Sequence, residues 1–168
     1  MPLPSFSALY LVFPIVLGVH NLDECASAER QLANPQLRPH PSYFRSDAAE
    51  FAMILLTVAS CVVALLNYTT PTKGIVIVAE LSVFSLLFNA LGHIVLSLKH
   101  RAWRPGTRSA TFLVLPYTVA VLTIMTRGSG KAVLALWPLA LGGLIALPAA
   151  ILIALAVAKG AHRLISRR

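Results

Sequence analysis

The residues with chemistry to offer begin at His20-Asn21-Leu22-Asp23-Glu24. In a helix, side chains three and four apart share a face, so the His20 imidazole stands beside both the Asp23 and the Glu24 carboxylates. Asn89 and His93 repeat the four-residue spacing further along, and Glu50 and Arg104 complete the set of candidate site residues. His20, Glu24, Glu50 and His93 offer two imidazoles and two carboxylates, the ligand types that hold zinc or iron with a position left open for water or substrate. A metal there sharpens a bound water into a nucleophile, or binds dioxygen if it is iron. Asn89 and Arg104 then orient a carbonyl or phosphate oxygen, and Asp23 holds a ligand histidine from behind. Without a metal, the same groups serve as general acid and base.

The elements that must position these groups are membrane helices. Hydrophobic residues make up 57% of the 168, charged residues 12%, and the mean hydropathy is +0.77, far beyond the balance of a soluble domain. One integral membrane domain over residues 1–168, an all-α bundle, is therefore expected. The formal charge of +8 does not point to nucleic acid, because the bases are confined to connections between apolar runs, where they serve orientation and headgroup contact. The bilayer itself is the expected partner. Cys25 and Cys61 fall at different depths in this layout, which argues against a disulfide.

Five spans are expected, at about 3–24, 47–68, 75–98, 107–125 and 132–158. Pro14 kinks the first, which membrane helices tolerate. Residues 25–46 read as a polar, proline-containing loop, with a short surface helix over 26–32, and 159–168 as a basic tail on the lipid surface. Asp47-Ala48-Ala49-Glu50 has capping-box spacing at the start of span two. Gly142 and Gly143 in span five permit close helix approach. With five crossings, eleven of the fourteen Lys and Arg residues fall on one side, which predicts a cytoplasmic carboxyl terminus and an amino terminus outside. Spans one, two and three then deliver His20, Asp23, Glu24, Glu50, Asn89 and His93 to the cytoplasmic half, with Arg104 in the following loop. Of the six acids only Glu80 lies at the opposite face.

In this arrangement the chain resembles the small integral membrane proteins named for an H-x-x-E-E motif. The resemblance rests on His20-x-x-Asp23-Glu24, on Asn89-x-x-x-His93 and on the Arg104-Pro105-Gly106 turn, and it covers most of the chain in order and spacing. It implies an enzyme-like set of polar residues without naming a reaction. Asp23 stands where the family name has Glu, and its shorter arm leaves Glu24 as the better ligand.

The expected function is that of an intramembrane hydrolase or oxidoreductase, metal-dependent through zinc or iron, in a bacterial-type plasma membrane. Its substrate is a lipid-like or apolar small molecule. A metal-free acid–base isomerase uses the same residues. A proton or metal-ion carrier needs polar partners through the full thickness, where the far half offers mainly Glu80 and scattered hydroxyls. A structural membrane subunit would suit the glycine-containing fifth span.

Overall fold

The structure, a computed structural model, describes residues 4–33, 47–129 and 136–165. They are helical, with no strand among them. In chain order the elements are α1 (Pro4–Tyr10), α2 (Phe13–Ala33), α3 (Asp47–Thr69), α4 (Lys73–His100), α5 (Thr107–Ser109), a π-helical turn (Ala110–Val114), α6 (Leu115–Ser129) and α7 (Trp137–Ile165). Five stretches are long and apolar enough to cross a membrane: Ser5–Ser27, Ala49–Thr69, Lys73–His100, Thr107–Arg127 and Trp137–Ala158. Their outward surfaces agree with that reading. Leu22 is 71% exposed, Ile145 69% and Phe112 73%, apolar exposure that lipid tolerates and water penalises.

Pro14 explains the break between α1 and α2. It has no N–H to give a preceding carbonyl, and the chain there passes through shorter-range bonds from Leu11, Val12 and Ile15 to carbonyls three residues back. Aromatic rings seal the interruption: Tyr10 stacks on Phe13 at 4.9 Å between centroids, and Phe13 meets Tyr117 at 6.4 Å. Val83, Val114 and Val121, all with no exposure, complete this core.

Beyond this break α2 departs from the expected layout. The helix does not stop at residue 24 with a separate surface helix over 26–32; it runs unbroken to Ala33. Residues 34–46 of the expected loop and 166–168 of the expected tail lie outside the described residues. The basic tail is not separate at its start either, since α7 continues through Lys159 to Ile165.

Glycine sets the approach of α7 to α4. A Cβ on Gly143 would stand 2.5 Å from the Phe84 Cβ and 3.0 Å from the Ser85 backbone nitrogen, and one on Gly142 would stand 2.6 Å from the Leu81 Cδ2. The contact is fastened by the Ser85 hydroxyl, which donates to the Gly143 carbonyl at 2.8 Å. Close backbone approach through small residues is how membrane helices gain packing without a hydrophobic driving force.

The turn from α4 to α5 packs over the His20 and His93 rings. Helix α4 ends at Arg101, in the left-handed conformation (φ 50°), whose N–H and that of Ala102 satisfy carbonyls of the last turn. Ser97 then clips the loop: its hydroxyl accepts the Arg104 N–H at 3.1 Å and shares a hydrogen bond with the Thr107 hydroxyl at 2.6 Å. Gly106 takes φ 76° just before α5, a conformation that favours glycine.

Candidate functional site

Three helices converge just beneath that turn. On α2, His20, Asp23, Glu24 and Ser27 share one face by their spacing. His20 has no exposure and Glu24 is 8% exposed. On α4, Asn89 and His93 point to the same place. The His20 and His93 rings meet edge to face at 5.1 Å between centroids, and the His93 Nε2 lies 3.7 Å from the Glu24 Oε1. Gly106 lies against both rings: a Cβ there would stand 3.0 Å from the His93 Cε1 and 3.2 Å from the His20 Cε1. The glycine is therefore required twice, by its backbone angle and by the imidazoles.

The two acids of the motif do different jobs. The Asp23 carboxylate turns toward the start of α5, where Gly106 has no side chain with which to cap the helix. Its Oδ2 accepts the Ser109 backbone N–H at 3.2 Å and the Ser109 hydroxyl at 2.8 Å, and its Oδ1 accepts the Ser27 hydroxyl at 3.1 Å. Asp23 thus supplies, from a neighbouring helix, the cap and the negative charge that a helix N-terminus favours. Glu24 instead faces the imidazoles. With His20 and His93 it forms the group, among the described residues, in which three potential metal donors lie within 4.8 Å of one another.

His20 is held at both ring nitrogens. Nδ1 lies 2.9 Å from the Ser109 Oγ, and Nε2 accepts the Asn89 amide at 2.9 Å. A continuous chain of hydrogen bonds therefore runs from Asn89 through His20 and Ser109 to Asp23, linking α4, α2 and α5. The π-helical turn directly after Ser109 makes this possible. It carries an extra residue and so offsets α5 from α6, letting Ser109 meet α2 while Val114, Thr118 and Val121 are buried in the bundle.

Glu50 is not brought into this group. It is exposed at the start of α3 and lines a groove of about 390 Å³ between α2 and α3, together with Asn21, Cys25, Met53 and Thr57. That groove lies on the opposite face of α2, whose Asn21 amide bonds the Met53 carbonyl at 3.3 Å and the Thr57 hydroxyl at 3.0 Å. Helix α3 begins at Asp47 itself, so Glu50 stands in its first turn. Arg104 is placed by its backbone in the turn above the site, through Ser97 and through its carbonyl, which accepts the Thr107 N–H at 3.1 Å. Cys25 and Cys61 form no disulfide, and the Cys25 thiol donates to the Met53 sulfur at 3.4 Å. Ser109 was not among the candidates, since a lone serine opening an apolar span carries no spacing signal. The hint was Gly106, which leaves α5 in need of a cap from elsewhere.

Five helices long and apolar enough to cross a membrane, with a polar cluster between α2, α4 and α5, define a multi-pass membrane protein. The chain matches the family described as protein of unknown function with HXXEE motif over residues 11–121. It belongs to that family. The matched segment contains every residue of the cluster, from His20 to Ser109, and ends before α7. No curated protein and no solved structure matches the chain.

Proposed function

We propose that this protein is an intramembrane enzyme that holds one divalent cation, zinc or iron, at His20, Glu24 and His93 and acts on a lipid-like or otherwise apolar small molecule. The observation that carries the reading is the mutual approach of three donors, two imidazoles and a carboxylate, within 4.8 Å. Around zinc such donors lie roughly 3.3–3.5 Å apart. The widest pair reaches that spacing by closing about 1.5 Å, within the range of a glutamate side chain and two small ring movements. Two histidines and one carboxylate leave coordination positions free, the arrangement of both hydrolytic zinc sites and non-haem iron sites. The cation supplies an activated water or, as iron, a place for dioxygen.

The chain's own residues do the rest. Asp23, through Ser109, holds His20 from behind. Asn89, whose amide bonds the His20 Nε2 in this structure, would hydrogen-bond a polar substrate group once that nitrogen binds the cation, and Arg104, in the turn over the site, would suit a phosphate or carbonyl oxygen. Glu50 is left out of the ligand set because it lines a different face. The eleven-to-three distribution of basic residues supports a cytoplasm-facing site with the amino terminus outside, in a bacterial-type plasma membrane, and a substrate entering from the inner leaflet.

The direct approach of Glu24 to His93 at 3.7 Å favours a second reading, a metal-free acid–base isomerase in which these two groups exchange the proton. Elemental analysis of detergent-purified protein separates the two. The metal reading expects about one zinc or iron per chain in wild type and loss in both His93→Ala and Glu24→Gln. Substoichiometric metal in wild type, unchanged in both variants, moves the site to acid–base chemistry.

A further inference from the structure

A hydroxyl has one proton, and that fact orders the whole chain of hydrogen bonds at His20. Ser109 Oγ lies near three partners: the Asp23 Oδ2 at 2.8 Å, the Gly106 carbonyl at 3.0 Å and the His20 Nδ1 at 2.9 Å. Both Asp23 oxygens accept hydrogen bonds, Oδ2 from the Ser109 N–H and Oδ1 from Ser27. A charge-assisted bond to a carboxylate is about twice as strong as one between neutral groups, so the Ser109 proton goes to Asp23. Oγ then has only lone pairs to offer the ring. Nδ1 must be the nitrogen that carries the proton, and the one-proton imidazole keeps its lone pair at Nε2. The Asn89 amide occupies that lone pair at 2.9 Å.

We infer that Ser109 is a positioning residue that fixes the His20 tautomer, and that Asn89 is an internal competitor that occupies the coordinating nitrogen until a cation displaces it. This rests on the metal reading above. Histidines that bind metals commonly donate the other ring N–H to a carboxylate or carbonyl. Here a serine stands between ring and carboxylate, and the same serine ties the α5 N-terminus to α2. A cation at His20 must push the Asn89 amide aside, which weakens binding and leaves that amide free to hydrogen-bond whatever enters with the cation.

The two roles have opposite signs, and this makes them separable. Zn²⁺ affinity is measured by competition with a chromophoric chelator on detergent-purified full-length protein. Ser109→Ala is expected to weaken binding by about 10- to 100-fold, and Ser109→Thr, which keeps the hydroxyl, to restore most of it. Asn89→Ala is expected to tighten binding by about 5-fold, a gain that general destabilisation does not produce. Nitrogen-15 spectra of histidine-labelled protein without metal give a readout independent of any cation. They are expected to show His20 protonated at Nδ1 in wild type and, through Ser109, still in Asn89→Ala, and to lose that preference when Ser109→Ala is added to Asn89→Ala, because the Asn89 amide alone also keeps Nε2 unprotonated. Protonation at Nε2 in wild type, or loss of the Nδ1 preference in Asn89→Ala with Ser109 intact, overturns the inference even if zinc binds. Absence of zinc binding in every variant, with the Nδ1 tautomer intact, overturns the metal reading and the competitor role but leaves Ser109 as the residue that sets the tautomer.

Discussion

Asp23 on α2 caps a helix that begins more than eighty residues later, by accepting the backbone N–H and the hydroxyl of Ser109. The first acid of the motif is thereby a tether between two membrane spans, and the second acid is left to the imidazoles. This division explains how Asp can stand where the family name has Glu: the position needs an acceptor that reaches one helix terminus, and the shorter arm does so here.

Removing that cap is expected to lower stability without touching the three donors directly. Asp23→Ala should cost about 1 kcal/mol or somewhat more, and Asp23→Asn, which keeps an acceptor but not the charge, should cost less. Thermal unfolding in detergent, followed by circular dichroism, checks the order. Equal stability in all three proteins contradicts the capping role.

Gly106→Ala is expected to be among the most damaging single-methyl changes in the chain. It places a side chain at φ 76° and within 3.0 Å of the His93 ring, a combination costing about 1–3 kcal/mol in strain alone. Gly92→Ala is the matched control, one residue from His93 with nothing within 4 Å of the added carbon. It should be neutral or slightly stabilising, since alanine is the better helix former. Comparing the unfolding temperatures of the two variants tests the fit of the turn over the imidazoles.

Much of this arrangement was legible in the sequence, for definable reasons. Apolar length alone located the five spans, because a bilayer-crossing helix must be both long and uninterrupted. The four-residue spacing of Asn89 and His93 placed both on one face of α4, and both reach the His20 side of the bundle. Glu50 was misleading because depth in the membrane is readable from the chain while rotation about a helix axis is not. Its depth matches the site, yet it faces the groove beside Met53. The continuation of α2 to Ala33 was obscured by polar residues, which mark the end of an apolar run and not the end of a helix. Ser109 became visible only with the π-helical turn that rotates it toward α2.

Packing between α4 and α7 offers a test remote from the site. Gly143→Ala should destabilise the protein by about 1–3 kcal/mol, because the new carbon meets the Phe84 Cβ and the Ser85 backbone, neither the far end of a flexible chain. Gly160→Ala on the same helix meets nothing within 4 Å and should change little. Unfolding midpoints of the two variants, measured in the same detergent, decide the matter.

The proposed orientation is checked with reporter fusions at the carboxyl terminus. A green fluorescent protein fused after Arg168 should fluoresce, and alkaline phosphatase at the same point should be inactive, because the basic connections favour the cytoplasm. The reverse pattern would move the site to the outer leaflet.

The central claim is that His20, Glu24 and His93 bind one cation together, and X-ray absorption on the zinc-loaded protein addresses it most directly. The expected spectrum has nitrogen and oxygen scatterers at about 2.0–2.2 Å with the multiple-scattering pattern of imidazole, and that pattern is reduced in His20→Ala and again in His93→Ala. A zinc spectrum without imidazole scattering, or one unchanged when both histidines are replaced, would contradict the account.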